Sequence, residues 1–427
     1  MAEILGLGGW ILKNKFIVLC LTAVLAMGLL AGCGSSEDSA DSSSDSEDAV
    51  SEEAYADVVS YVTDGEISAA DVVYTVDGVD ITAGLYFYWI TYVAYQYEES
   101  YYNSYYVYPE MDQEFSDGTT MAENVLNYAY EFATYNACVY ARAVEEGIEL
   151  NDEYQEIYET SYSDGITELG EELWDTSVSE GTIDEDDYSD SEKEEWIQEN
   201  GQEQMIYYLL YYCTTEEDMD TLYLEDCYAK QYRDDLYGEG GEYELTDDDI
   251  DDYVEEYDIY ACRYIFFGDT SSELDDDELE EYYDEAEDCY EYLQTLSGDE
   301  LDDAIAEYAA ENPDGNTTGE ACFSSSASTV DGLMDVLEEL EIGELGITED
   351  TENGYFVLIR DEVTADTIIS ELEYSVETSL AEANFEELAY EWLDDAEIED
   401  YGILDDFDIY DFYDSLEDLR DEIIDAA

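Results

Sequence analysis

The chain has 427 residues, with 120 Asp and Glu against nine Lys and Arg, and a formal charge of −111 at pH 7. Phosphate binding needs clustered cations, so nucleic acid is excluded as a partner. There is no His, which rules out Ser-His-Asp and Cys-His nucleophile systems and imidazole metal sites. No metal site and no cofactor is expected. Apolar residues make up 45% of the chain, enough to bury a real core, and the length points to two or more domains. The acidic surface draws cations non-specifically. Specific cation binding is a second reading, although no EF-hand loop is present.

In chain order, Lys13 and Lys15 precede an apolar run that closes on Leu30-Ala31-Gly32-Cys33. The run is shorter than the ~20 apolar residues that a membrane-spanning helix needs. It has the layout of an export signal, and its end resembles a bacterial lipobox. That resemblance implies a signal peptide over 1–32, a diacylglyceryl group on Cys33, and attachment to the cell membrane on its extracytoplasmic face. An uncleaved anchor helix is the alternative. Residues 33–70 read as an acidic Ser/Asp-rich linker of flexible coil.

Residues 72–81 predict a hairpin turning at Asp77-Gly78. Thr82 caps a helix that runs past Tyr97. Tyr88, Tyr92 and Tyr95 recur on that helix at helical spacing beside Trp89. This stripe has two readings, a core contact or a cradle that binds client polypeptides. A second helix covers 119–146 and stops at Gly147; Asn151 caps a third. A looser acidic insert is expected over 163–200, then a helical pair over 205–212 and 216–236. Thr246 opens another helix. Residues 260–267 and 355–359 predict strands, with helices over 272–296, 299–310 and 330–340 between them. A helix over 366–396 and an acidic, weakly amphipathic tail over 397–427 end the chain.

Six Cys follow Cys33: Cys138, Cys213, Cys227, Cys262, Cys289 and Cys322. None forms a Cys-x-x-Cys pair. Outside the membrane they are able to pair as disulfides; buried free thiols are the other reading.

Several segments match one family pattern in the right order. Val76-Asp77-Gly78-Val79-Asp80-Ile81-Thr82, Gly147-Ile148-Glu149-Leu150-Asn151-Asp152-Glu153, Thr214-Thr215-Glu216-Glu217-Asp218 and the stretch 245–253 resemble the helical part of the PrsA/SurA foldases. Cys262-Arg263-Tyr264-Ile265-Phe266-Phe267, Gly343-Glu344-Leu345 and Gly354-Tyr355-Phe356-Val357-Leu358-Ile359 resemble the family's parvulin-type peptidyl-prolyl isomerase module. The resemblance implies an α+β fold. In it, a helical SurA-N-like chaperone domain over 71–255 carries an inserted parvulin-like module over 256–365, a small antiparallel sheet plus helices. The helix over 366–396 returns to the chaperone domain. It also implies that the partners are unfolded or newly exported polypeptides.

The departures fall at the chemistry. Tyr264 and Phe356 stand where parvulins place two His, so no catalytic residue is assigned. The family's Cys/Asp position falls near 310–314, its pocket Met near Thr329, and Leu333 could stand for the pocket Phe. Prolyl isomerisation only lowers a rotation barrier of about 18–20 kcal/mol, and desolvation contributes to that. The expectation is therefore a membrane-anchored chaperone that captures apolar segments through aromatic grooves, with Tyr88, Trp89, Tyr92, Tyr95 and Leu333 as candidate client contacts and weak or absent isomerase activity. An active isomerase and a cation- or solute-binding surface lipoprotein are the alternatives.

Overall fold

The structure, a computed structural model, describes residues 52–426 apart from 117, 180, 186–187, 269–273, 275, 299, 302, 306–307, 309–315, 325–331, 349–353, 371 and 373. The expected signal peptide, Cys33 and the first part of the expected linker lie outside the described residues, as do the expected Cys/Asp position near 310–314 and Thr329. Among the described residues no helix is long and apolar enough to cross a membrane.

The elements run as follows. Short helices α1 (Glu52–Ala56) and α2 (Val58–Val62) precede strands β1 (Val72–Val76) and β2 (Val79–Thr82). Long helices come next: α3 (Ala83–Tyr105), α4 (Met121–Glu146), α5 (Asp152–Ser179), α6 (Asp190–Tyr211) and α7 (Glu216–Tyr237). After α8 (Asp247–Glu256) come β3 (Ile259–Gly268), α9 (Asp276–Leu293), β4 (Asn316–Ser324), α10 (Leu333–Glu339), β5 (Leu345–Ile347) and β6 (Gly354–Asp361). The chain closes with β7 (Ile368–Ile369), β8 (Tyr374–Ser375), α11 (Val376–Asp395), β9 (Ile398–Asp400) and α12 (Ile409–Ala426). The fold is α+β, mostly helix with small antiparallel sheets.

Two compact units divide the chain. One takes in the described residues up to Asp234 and those from Phe385 onward; the other spans Asp235–Asn384. The first unit is helical around a three-stranded sheet of order β2-β1-β9. Its hairpin turns where expected: Asp77 and Gly78 both take positive φ, at 49° and 86°, the primed turn that matches strand twist. Thr82 caps α3 by accepting the Leu85 N–H at 3.1 Å. Thr120 and Glu123 form a capping box at the start of α4, and Gly147 closes it in the left-handed conformation. The core of this unit gathers Phe87, Ile90, Met121, Val125, Met205, Leu222 and Phe412.

Three expectations for this unit are corrected. The linker does not extend to residue 70. Val58, Val59 and Val62 are buried in the core, and Asp57 holds the segment by accepting from the N–H groups of Ser60 and Ala69 and the Ser68 hydroxyl. The polar composition hid a β-branched run. The 163–200 segment is not loose either. It forms most of an α5/α6 hairpin in which a Cβ on Gly170 would come within 2.1 Å of the Ile197 carbonyl oxygen, and one on Gly201 within 2.0 Å of that of Ile166. Only glycine lets the two backbones approach so closely. The C-terminal tail is strongly amphipathic. Ile409, Phe412, Leu416, Leu419 and Ile423 of α12 are all buried at helical spacing, and β9 pairs antiparallel with β1.

The second unit is built on a four-stranded antiparallel sheet of order β4-β3-β6-β5. Strand alternation sends Ile265, Phe267, Val357 and Ile359 to one face, where they pack with Ala286, Cys289 and Leu293 of α9. Cys262, Phe266, Phe356 and Leu358 go to the other face, against Leu333 and Leu337 of α10. Strand β4 was not expected from the sequence. The helix expected over 366–396 begins only at Val376, because 368–375 form the short β7/β8 pair. This unit reaches beyond the expected 256–365 on both sides, since Ile250, Tyr253, Val376 and Leu380 share a cluster with Ile259 and Ala261 of β3.

Candidate functional site

Tyr264 and Phe356, the two positions that the sequence resemblance aligns with parvulin histidines, lie on neighbouring strands. Phe266 pairs with Phe356 across β3 and β6, and Tyr264 with Leu358. The Tyr264 and Phe356 rings meet edge to face at 5.6 Å between centroids, and the Phe266 ring lies 4.6 Å from that of Phe356. All three rings therefore stand on the α10 face of the sheet. Phe356 and Phe266 are buried and Tyr264 is half-buried.

Two residues that sequence reasoning missed fix this arrangement. Thr348 is fully buried; its Oγ1 accepts the Phe356 N–H at 2.9 Å while its own N–H donates to the Phe356 carbonyl at 3.0 Å. Gly319 on β4 pairs with Tyr264. A Cβ there would meet the Tyr264 hydroxyl oxygen at 2.5 Å and its Cζ at 2.7 Å, so the ring lies over a strand position kept free of side chain. Pro313-Asp314-Gly315 suggested only a stop, and the alternating Thr317, Gly319, Ala321 and Phe323 were the one signal of a strand.

The described surroundings are apolar. Leu333, at the start of α10, and Leu337 are buried against Phe356, and Tyr260, Met334 and Val336 pack beside them. Cys262, the buried thiol on the same face, has its pKa pushed up to about 12, first by burial and then by the Asp361 charge. A thiol so protonated is a poor nucleophile. At the far side of β3, Arg263 holds Asp361 bidentately, both contacts at 2.8 Å. The Arg360 guanidinium lies over the Tyr260 ring at 4.7 Å. Among the described residues the face thus offers an aromatic scaffold packed on its own rings, without an acid–base pair.

The expected aromatic stripe on α3 is divided by depth. Tyr88, Trp89 and Tyr92 are buried. Tyr88 stacks on Tyr92 at 6.0 Å, Trp89 meets Phe132 of α4 at 5.4 Å, and Tyr95, partly buried, leans edge-on against Tyr212 just past the end of α6. Like Leu333 in the other unit, these residues pack against their own fold. As candidate client contacts they are corrected: Tyr88, Trp89, Tyr92 and Leu333 present no free surface, because helical periodicity marks a stripe without saying what covers it.

Accessible aromatic surface lies further along the same helix. Tyr102, Tyr105, Tyr106, Val107 and Tyr108 are exposed, Tyr106 at 79% and Tyr108 at 62%. Tyr108 stacks on Tyr102 at 4.7 Å and 18°, Tyr106 meets Tyr102 edge-on at 6.2 Å, and Tyr101 lies 4.5 Å from Tyr105. Partial burial, then the charges of Glu99, Tyr102 and Glu98, raise the Tyr108 phenol above its ordinary value. Tyr106 caps α3 in the left-handed conformation, φ 57°, with its N–H on the Tyr102 carbonyl at 2.7 Å. Glycine is the ordinary residue at such a cap.

The six described cysteines are free and buried, which decides their alternative in favour of thiols. No group of three or more His, Cys, Asp or Glu among the described residues has the arrangement to hold a metal ion.

No protein-family profile matches the chain, and no curated protein matches it. Among solved structures the chain is similar to the foldase PrsA of Streptococcus pneumoniae, at 14% identity and a TM-score of 0.25, over 70% of this chain and 99% of that one. It is similar to PrsA of Bacillus subtilis at 12% identity and a TM-score of 0.22, over 70% and 93%. A peptidylprolyl isomerase, PrsA of Bacillus cereus, matches at 14% identity and a TM-score of 0.18, over 73% and 98%.

Proposed function

We propose that this chain is an extracytoplasmic chaperone, held at the membrane by a lipid on Cys33, that captures unfolded exported polypeptides on aromatic surface. Its parvulin-like module, over about 256–365, serves as a scaffold with little or no isomerase activity. The observation that carries this reading is the filled β3/β6 face. The positions expected to hold catalytic histidines hold Tyr264 and Phe356, whose rings pack on each other and against α10. Among the described residues these rings occupy the place where an amide would be desolvated and twisted. Exposed tyrosines after residue 101 supply surface of the kind that binds unfolded chains without sequence rules. The motif matches of the sequence, in order through both units, support the same class.

The deciding experiment is aggregation of a chemically unfolded protein diluted into buffer with the chain from residue 34 onward. Light scattering falls in proportion to the chain added, at stoichiometries near one to one. Unchanged scattering at several-fold excess rejects the reading.

A further inference from the structure

We propose that the exposed tyrosine tip of α3, Tyr102 to Tyr108, is a docking site for extended polypeptide segments carrying Lys or Arg. The proposal deepens the chaperone reading and rests on it.

The tip offers the faces and edges of Tyr102, Tyr106 and Tyr108 to solvent. Tyrosine faces attract ammonium and guanidinium groups. Glu99 acts on the Tyr108 phenol, whereas Glu98 is already engaged by Arg420 and Tyr413; residues 97–114 hold no Lys or Arg and also include Glu110, Asp112 and Glu114. Exposed aromatic rings on an acidic stretch of chain suit a cation on an apolar stem. The backbone gives a second, independent sign. A bulky residue at a left-handed cap costs about 1 kcal/mol that glycine would avoid, yet Tyr106 stands there with its ring outside the fold. The adjoining Pro109 restricts Tyr108 to extended backbone, so the stacked pair is held in place before a ligand arrives.

Other occupants fit less well. A second copy of the chain brings like charge at −111. Residues 34–51 of the chain itself hold no Lys or Arg. A membrane carrying anionic lipid repels the acidic stretch.

The test uses the full chain from residue 34, so that every segment able to cover the tip is present, and two fluorescent unstructured peptides of equal length and apolar content. One carries four Lys; in the other they are Gln. The Lys peptide is expected to bind at least tenfold more tightly at 0.15 M salt, with a clear preference left at 0.5 M, where a diffuse acidic surface is screened. Tyr106→Gly relieves the backbone, so its melting temperature holds or rises, yet it is expected to weaken the Lys peptide severalfold. The triple change Tyr102→Ala, Tyr106→Gly, Tyr108→Ala is expected to abolish the preference. Equal binding of the Lys peptide by wild type and a folded triple variant overturns the site. So does tyrosine-dependent binding to zwitterionic vesicles, or tyrosine-dependent self-association in sedimentation. If the triple variant still suppresses aggregation fully, the chaperone reading stands and the tip is not its site. If wild type suppresses nothing, the chaperone reading itself fails, whatever the peptides do.

Discussion

The phenol ring of Tyr264 lies directly over Gly319, its partner on the neighbouring strand, so close that a Cβ at Gly319 would fall 2.5 Å from the hydroxyl oxygen. One strand has given up a side chain to seat a ring of the other. Gly319→Val should push the ring off its seat and into Phe356. Overpacking of this kind costs about 1–3 kcal/mol, read as a lowered urea midpoint with an unchanged slope. Gly319→Val with Tyr264→Ala should recover part of that loss, since the clash is then gone.

The same packing bears on catalysis. In a Pro-containing tetrapeptide assay the wild-type chain should stay at the uncatalysed rate. Tyr264→Phe keeps the ring contacts and removes the Tyr264 hydroxyl, so it should change neither rate nor stability much. Acceleration in the wild type, lost in Tyr264→Phe with the fold intact, would favour the active-isomerase alternative. Phe356→Ala should cost about 3–5 kcal/mol through its cavity, which makes it a probe of packing rather than of chemistry.

Arg420 of α12 is buried in a protein almost without cations. Its guanidinium lies 4.0 Å from the Tyr211 ring, donates to the Tyr211 carbonyl, and reaches Glu98 of α3 at 4.0 Å. Glu98 also accepts from the Tyr413 hydroxyl. Burial disfavours the charge on Arg420, but Tyr211, Tyr413 and Glu98 outweigh it and raise the pKa. Arg420→Met strands Glu98 and should cost about 3–5 kcal/mol in urea unfolding. Adding Glu98→Met should restore most of it, because an apolar pair of similar volume is often no worse than a buried ion pair.

Glu225 on α7 is fully buried, and neither carboxylate oxygen has a hydrogen-bond partner among the described residues. Burial pushes its pKa up to about 8. The folded state therefore keeps a proton that the unfolded chain releases near its ordinary value of 4.5. No penalty acts below that value. Between it and about 8, stability should fall as pH rises, by about 1.4 kcal/mol per pH unit from this group. Glu225→Gln removes the term, so the variant should match wild type near pH 4.5 and exceed it near pH 8. Urea unfolding of both proteins at the two pH values measures the difference. A constant gap between them would contradict the assignment.

The cysteines give a simple check. Burial raises the thiols of Cys138, Cys227 and Cys289 to about 11. An aromatic disulfide reagent should label almost none of the six in the folded chain at pH 8 and all of them in denaturant.

Local chemistry made much of this fold legible. The Asp77-Gly78 turn, the Thr82 and Thr246 caps and the Gly147 stop are decided within a few residues, and they stand where the sequence placed them. Strands β3 and β6 were legible because both faces are buried, which leaves a continuous apolar run. What failed was nonlocal. Val58 and α12 look polar in sequence because acidic residues crowd the outer face, while the apolar residues that matter meet partners far along the chain. Tyr88 and Tyr106 have the same side chain on the same segment. Only the fold separates the one sealed against Tyr92 from the one in solvent.

Strand β9 closes the first unit's sheet onto β1, with Asp77 and Glu397 exchanging N–H contacts at 2.9–3.0 Å. A polypeptide that emerges amino end first must hold that hairpin edge unpaired until some 320 further residues have appeared. The intervening unit, compact over Asp235–Asn384, is free to fold ahead of it. The two bodies should then mature in the reverse of their order in the gene: the hairpin is made first and closed last. Through that interval the carboxyl end of the chain acts as the latch of a domain begun at the amino end.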